Sequence, residues 1–472
     1  MKKTINVIVI SFMMIFNVTA QETEKQYSRL WEGKLNFGTV KLRLVLKIHQ
    51  KADKSYHIDL DSPDQGVSNI PATYTSVTED SLKFEIKSIG ASYSGAFIKD
   101  SALVRGTFKQ GGMSLPLTLK KIDKLAEVKR PQTPQKPYPY NEEEITFENK
   151  EAGITLAGSL TFPKGDGKYT AVVMVTGSGP QDRDESLMNH KPFLVIADYL
   201  TRNGIAVLRF DDRGIAKSKG SFATATSADF ATDALAAVEY LKTRKEIDSK
   251  KIGIAGHSEG GMIAPMCAVN SNNVSFIVLL AGTGVSGKDV IVLQTELIVR
   301  ANGAKEEDVQ KAKNENIRIF NVVAEDADSL QMFNKLLAMY NDDISKMSDE
   351  EKKKPENSKE SFDRNVKQIL SPWFRFFIKY DPRLTLEQVT VPVLALNGGK
   401  DLQVDPKQNL PEIEKALKAG GNKNFKTVEL PGLNHLFQPA ETGSPSEYAK
   451  IETTFSEDAL KIMKDWILSV TK

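Results

Sequence analysis

Gly256-His257-Ser258-Glu259-Gly260 is the stretch of this 472-residue sequence in which residue type and spacing most directly describe a reaction. The apolar run Ile252 to Ala255 precedes it and helix-compatible residues follow, the strand–turn–helix setting in which a serine hydroxyl is held out on a strained turn. Glycines at 256 and 260 fit that turn, because a Cβ there would collide with the neighbouring strand and helix; Gly261 would let the helix pack closer still. A chain of this length carries roughly 0.1–0.2 chance matches to Gly-x-Ser-x-Gly, so the serine needs its partners before it means anything. A hydroxyl is a weak nucleophile until a base removes its proton, and histidine is the usual base. The five histidines are His49, His57, His190, His257 and His435. His49 and His57 lie far upstream in a strand-patterned region, His190 precedes the serine, and His257 adjoins it in a geometry that cannot reach round. On an elbow of this kind the acid and then the base follow the nucleophile along the chain, which leaves His435 in "VELPGLNHLF". Between them, "VPVLALNGGKDLQV" offers Asp401 just past an apolar run, with Asp405 as the alternative. Such a carboxylate orients the imidazole and stabilises its charged form. Negative charge developing on a carbonyl oxygen needs N–H donors: the backbone of Glu259 supplies one, and the glycine-rich "VTGSGPQDRDE" the other, through Ser178 or its neighbours Gly177 and Gly179.

The elements that must position these residues can be read from patterning. Residues 27–120 alternate apolar and polar in short runs such as "KLRLVLKI" and "SLKFEIK", predicting a small all-β N-terminal domain over 21–125, a barrel or sandwich. "KRPQTPQKPYPY" then predicts a stiff linker over 126–141. Beyond it the runs become continuous ("AVVMVTG", "IAVLRF", "KIGIAG", "FIVLLAG", "VPVLALNG"), as strands buried on both faces require, and helical patterns alternate with them. One such helix, 227–242, sets Phe230, Leu235, Val238 and Leu241 on one side. Residues 142–472 therefore predict an α/β domain with a mostly parallel sheet. Its 285–385 segment, charged and helical, is too long for a loop and is expected to be an inserted lid. Pro265 should disturb the helix after the serine.

Several function classes are disfavoured. A net charge of +2 with both signs dispersed gives no nucleic-acid footprint. The single cysteine, Cys267, excludes an intrachain disulfide or a cysteine zinc cluster. Lys2, Lys3, the apolar Ile5 to Phe16 and the small-residue Val18-Thr19-Ala20 predict a secretory signal over 1–20, so the mature chain is expected to be exported, periplasmic or extracellular, without a membrane span. "GTGVSG" at 282–287 fits a dinucleotide fingerprint, but the helical insertion follows where a second strand ending in an acid should lie. No cofactor or metal is expected.

Together "GSGPQDRDE" (177–185), "RFDDRGIAKSKG" (209–220), "GHSEGG" (256–261), "NGGKD" (397–401) and "GLNHLF" (432–437) resemble the α/β-hydrolase superfamily, and within it a group of exported bacterial serine carboxylesterases. The resemblance runs from about residue 142 to the end. It implies a carboxylester hydrolase with Ser258, Asp401 and His435 as its triad, acting on a small-molecule ester; "DDRG" looks structural. Trp373, Phe374 and Phe377, in the aromatic cluster "PWFRFFIKYDP", are candidates to line an acyl or aryl pocket, with packing inside the insertion as the alternative. Two other readings stand beside this one: a serine peptidase or amidase of the same fold, and a binding protein with a vestigial hydrolase body. The N-terminal domain is a candidate for a binding role or for forming a homo-oligomer.

Overall fold

A computed structural model describes residues 29–472 apart from 38–39, 52, 64–66, 100, 111–112, 125–127, 326 and 354–356. The expected secretory signal, 1–20, lies outside the described residues. Among these, the chain divides into two compact units: residues 130–337 with 366–472, and residues 29–129 with 338–365.

In the second of these, period-two patterning becomes nine strands: β1 (Arg29–Phe37), β2 (Val40–Gln50), β3 (Tyr56–Ser62), β4 (Val67–Pro71), β5 (Tyr74–Val77), β6 (Ser81–Ile86), β7 (Ala91–Phe97), β8 (Leu103–Gln110) and β9 (Met113–Ile122). They form one antiparallel sheet in the order β4-β3-β2-β1-β9-β8-β7-β6-β5, two meanders joined where β1 pairs with β9. This is one curled sheet rather than two packed ones, and its curl brings β5 towards β3. Along β6, Leu82, Phe84 and Ile86 are buried while Lys83 and Glu85 are exposed, which is alternation acting on a half-buried surface. The inward residues of all these strands, Trp31, Ile58, Phe84, Phe108 and Leu119 among them, make one core. Buried there, the Tyr93 hydroxyl donates to the Leu117 carbonyl at 3.1 Å.

The other unit begins with residues that fasten to it. Arg130 donates to the carbonyls of Met188, Ala449 and Ile451, and Gln132 exchanges hydrogen bonds with Thr454 and Phe455. Then follow β10 (Asn141–Asn149), β11 (Ile154–Phe162), β12 (Tyr169–Val175), α1 (Pro192–Arg202), β13 (Ile205–Phe210), α2 (Ser227–Lys242), β14 (Ile247–His257), α3 (Glu259–Asn270) and β15 (Phe276–Leu280). After a long helical stretch come β16 (Val393–Gly398), α11 (Pro406–Ala419), β17 (Phe425–Leu430) and α12 (Glu457–Val470). That stretch holds α4 (Gly287–Ala301), α5 (Glu306–Ala324), α6 (Ser329–Ser345), α7 (Asp349–Lys352), α8 (Lys359–Ile369), α9 (Pro372–Lys379) and α10 (Pro382–Leu386), its residues 338–365 being counted with the antiparallel unit.

The eight-stranded sheet has the order β10-β11-β13-β12-β14-β15-β16-β17. β10 and β11 form a hairpin and β11 meets β13 antiparallel; every later pairing is parallel. β13, β15 and β16 are buried along their whole length, the reason their sequences lack alternation. Strand order reverses at β12, which lies between β13 and β14, and such a switch point opens a crevice at the carboxyl ends of the strands.

Two sequence expectations change in detail. On α2 the buried face is Ala231, Ala234, Ala237, Val238 and Leu241, while Phe230 and Leu235 are only half-buried. Small side chains let the helix lie close to the sheet, so the stripe is centred on alanines rather than on the largest apolar residues. Helix α3 runs through Pro265, and nothing in the structure explains that residue choice.

Candidate active site

Pairing of β12 with β14 sets Val175 opposite Gly256, so the chain leaves both strands side by side. Two residues on, Gly177 and Ser258 are neighbours: a Cβ built on Gly177 would lie 3.3 Å from the Ser258 Cβ. Ser258 has φ +53° and ψ −113°, a left-handed conformation that costs of order 1–3 kcal/mol and persists only where surroundings enforce it. What makes room for it is glycine. A Cβ on Gly256 would lie 1.9 Å from the Gly260 carbonyl oxygen, one on Gly260 would lie 2.1 Å from that of Val175, and one on Gly261 would lie 2.6 Å from Gly282 Cα. The Ser258 N–H donates to the Leu280 carbonyl at 2.8 Å, tying the turn to β15.

His435 and Asp401 arrive from the carboxyl ends of β17 and β16. His435 Nδ1 lies 2.8 Å from Asp401 Oδ2, and both residues are buried. The other carboxylate oxygen of Asp401 accepts the N–H groups of Gln403 and Val404 at 2.8 and 2.9 Å, which locks its orientation. Asp405 is used differently: its side chain caps α11 by accepting the Gln408 N–H. The His435 loop is held by Asn434, fully buried, whose side-chain oxygen accepts the N–H groups of Leu436 and Gln438. The Ser258 hydroxyl forms no hydrogen bond among the described residues, so the structure joins Asp401 to His435 but leaves the serine hydroxyl unlinked.

Around the serine, the expected N–H donors are organised by side chains. Glu259 N–H is one of the unsatisfied donors at the start of α3. The Glu259 carboxylate is buried and accepts from Ser227 Oγ at 2.6 Å, from Trp373 Nε1 at 2.7 Å and from the Ser178 hydroxyl. Burial pushes this carboxyl above its usual range and those three donors pull it back. Ser178 and Glu259 are thus linked side chain to side chain, and their backbone N–H groups donate to no backbone acceptor outside helices and strands. The Gly177 N–H, by contrast, is already engaged, donating to Glu185 Oε1 at 2.7 Å.

Trp373 stands on α9 with its ring stacked on Phe377 at 5.4 Å, and its indole N–H reaches the elbow through Glu259. Phe374 is fully buried against Phe320 of α5, within the packing of the helical insertion.

The charged motifs before the serine prove to be bracing. Arg183 forms a bidentate pair with Asp211, at 3.0 and 2.7 Å. Asp184 pairs with Arg209 and Lys191, and Asp212 accepts from Thr176 Oγ1 and Gln181 N–H. Glu185 and His257 are residues whose part sequence reasoning missed. Their carboxylate and ring meet at 2.9 Å although 72 positions separate them. The dense alternation of acids and arginines in "QDRDE" and "RFDDR" was the one signal of such pairing. The glycines of "GTGVSG" make close contacts: Gly282 faces Gly261, Gly284 the Asn409 carbonyl, and Gly287 that of Phe377. Cys267 is buried, its thiol pushed towards the protonated form by burial. Among the described residues no cluster of three or more histidine, cysteine or carboxylate side chains could hold a metal, and no helix is long and apolar enough to cross a membrane.

Comparison with known proteins bears on the same segment. Esterase EstD of Thermotoga maritima is 27% identical over 347 residues, covering 73% of this chain and 74% of that protein. Among solved structures, a Pyrococcus furiosus esterase matches with 15% identity and a TM-score of 0.41, over 74% of this chain and 100% of its own. Est1E of Butyrivibrio proteoclasticus, solved with ferulic acid, matches with 17% identity and a TM-score of 0.38, over 69% of this chain and 97% of its own. The family described as serine aminopeptidase, S33, matches residues 191–441, the span that carries Ser258, Asp401 and His435. With more than half its length in that match, the chain belongs to the serine aminopeptidase S33 family of hydrolases, within the α/β-hydrolase superfamily.

Proposed function

We propose that the chain is an exported serine carboxylesterase that cleaves small-molecule esters through an acyl-enzyme. Ser258 attacks the ester carbonyl while His435 takes its proton, the N–H groups of Glu259 and Ser178 receive the oxyanion, and the protonated His435 releases the alcohol. His435 then activates water to free the acid. Asp401 holds the imidazole in the tautomer that presents a basic nitrogen to the serine. The observation that carries the reading is the 2.8 Å Asp401–His435 contact in a buried loop pair that His257 joins to the turn on which Ser258 sits at φ +53° among glycines. The hydroxyl forms no hydrogen bond among the described residues, and a serine–histidine bond of this kind commonly tightens only with substrate present. Likeness to an esterase at 27% identity supports ester as the substrate class. Helices α4, α5, α9 and α10 of this unit are the candidate lid, with Trp373, whose indole N–H reaches Glu259, and Phe377, stacked on it, as a pocket wall.

A second reading, a serine peptidase or amidase, is favoured by the description of the family itself. A fluorophosphonate probe together with two substrates separates the possibilities. The expected outcome is one label per chain at Ser258, none on Ser258→Ala, and hydrolysis of a short-chain p-nitrophenyl ester well above that of an aminoacyl p-nitroanilide. Faster cleavage of the anilide establishes the amidase; no label and no turnover leaves a binding protein.

A further inference from the structure

The Glu185–His257 contact does more than satisfy two buried groups. Both ring nitrogens of His257 face acceptors: Nδ1 lies 2.9 Å from Glu185 Oε1 and Nε2 lies 3.0 Å from the backbone carbonyl of His435. A neutral imidazole carries one N–H and can donate to only one of them, so two acceptors call for the imidazolium. The same Glu185 oxygen also accepts the Gly177 N–H at 2.7 Å. One carboxylate and one ring therefore connect three separate loops: the oxyanion loop through Gly177, the nucleophile turn through His257 itself, and the base loop through the carbonyl of His435. Both side chains are buried, at 6% and 7% exposure, where a charge persists only if paired. Glu185 is held at φ +52°, a conformation uncommon for a residue with a side chain, which marks its placement as enforced.

We propose that Glu185 and His257 are positioning residues, a buried ion pair that sets the oxyanion donors, the serine turn and His435 in mutual register for the ester hydrolysis proposed above. Occupying the Gly177 amide leaves the next one, Ser178, to face the carbonyl oxygen. Holding the His435 carbonyl fixes the backbone from which the base projects, and the two rings pack 4.7 Å apart. The ring's charge is consistent with its setting. Burial pulls the His257 imidazolium towards the neutral form, but the Glu185 carboxylate, the His435 carbonyl and the more distant Asp401 carboxylate outweigh it and hold its pKa above the usual value.

The test measures kcat and KM of the full chain for p-nitrophenyl acetate, beside fluorophosphonate labelling of Ser258 and circular dichroism as a check of folding. Glu185→Ala is expected to lower kcat about 10²-fold with KM nearly unchanged, the loss that misplacement of reacting groups by about 1 Å produces. Glu185→Gln keeps an oxygen that can accept both the Gly177 N–H and the Nδ1–H of a neutral His257, giving up only the donor to the His435 carbonyl, so it should recover roughly ten-fold of that loss. A folded Glu185→Ala with parental kcat overturns the proposal, as does a glutamine variant no better than alanine or a loss that falls on KM alone. Should the alanine variant not fold, Glu185→Asp decides: one methylene short of both donors, it should lower kcat about ten-fold at constant KM, and a parental kcat overturns the proposal. If the parent itself neither labels at Ser258 nor turns over ester, the esterase reading fails and this proposal with it, a result distinct from an active parent with indifferent variants.

Discussion

Two histidine pairs, one in each unit, look alike at short range. On β2 and β3 of the antiparallel sheet, His49 stands directly opposite His57, with ring centroids 4.9 Å apart and His57 Nε2 2.9 Å from Asp59 Oδ1. In the α/β unit, His257 and His435 lie 4.7 Å apart, and each meets a carboxylate at 2.9 or 2.8 Å. The difference lies in what surrounds them. His57 and Asp59 are two residues apart on one strand whose backbone amides belong to the ladder, and the His57 side chain is 22% exposed. The other pair is assembled from four loops at strand ends, at 7% and 6% exposure, beside an elbow hydroxyl and amides that the sheet leaves unused. An imidazole beside a carboxylate is common; a reaction also needs a nucleophile and converging N–H donors in a place from which water is largely excluded.

The contrast can be broken most severely at the serine. Ser258→Ala should lower kcat for a p-nitrophenyl ester by about 10⁶-fold, and an unchanged rate would remove the α/β pair's claim to a reaction. Next, Asp401→Asn, which presents the wrong tautomer of His435, should cost about 10⁴-fold in kcat, measured on the same substrate.

A third histidine sharpens the comparison through stability. Burial pushes the His190 imidazole down to about 4, against which the Tyr448 carbonyl works only partly. The unfolded chain takes up a proton near pH 6.5 and the folded one does not until about 4, so stability present above pH 6.5 is lost as pH falls towards 4. Between pH 6.5 and 4.5 the parent should lose about 2 kcal/mol more unfolding free energy than His190→Gln in urea titrations. The smallest effect is expected on the antiparallel sheet. His57→Gln should change stability by only about 0.5 kcal/mol and leave kcat as it is; a large fall in kcat would mean that the resemblance between the two pairs is more than local.

How far each part could be read in advance follows from the range of the forces involved. The glycines around Ser258 answer a local steric demand, so their spacing was visible before any fold, and so was the alternation along β6. The proposed order of serine, acid and base could be read because each sits just past a recognisable apolar strand. Choosing Asp401 over Asp405 rested on its place just past the apolar run, after two glycines that turn the chain; the structure gives Asp405 to the cap of α11 and Asp401 to His435. On α2, Val238 and Leu241 are buried as expected, but Phe230 and Leu235 give way to alanines, because hydrophobicity ranks them above alanine while closeness to the sheet favours the smaller residue. Phe374 and Trp373, adjacent in sequence, part company for a similar reason: one fills the space against Phe320 and the other reaches Glu259.

By itself the sequence determined two sheet types, a helical insertion and an elbow serine, because backbone sterics and apolar periodicity act over a few residues. Only the tertiary structure decided that Glu185, Gly177, His257 and the His435 carbonyl meet, and which amide is thereby occupied. Hydrogen bonds and ion pairs between distant loops carry no periodic trace in the chain; they exist only once the strand order has set those loops side by side.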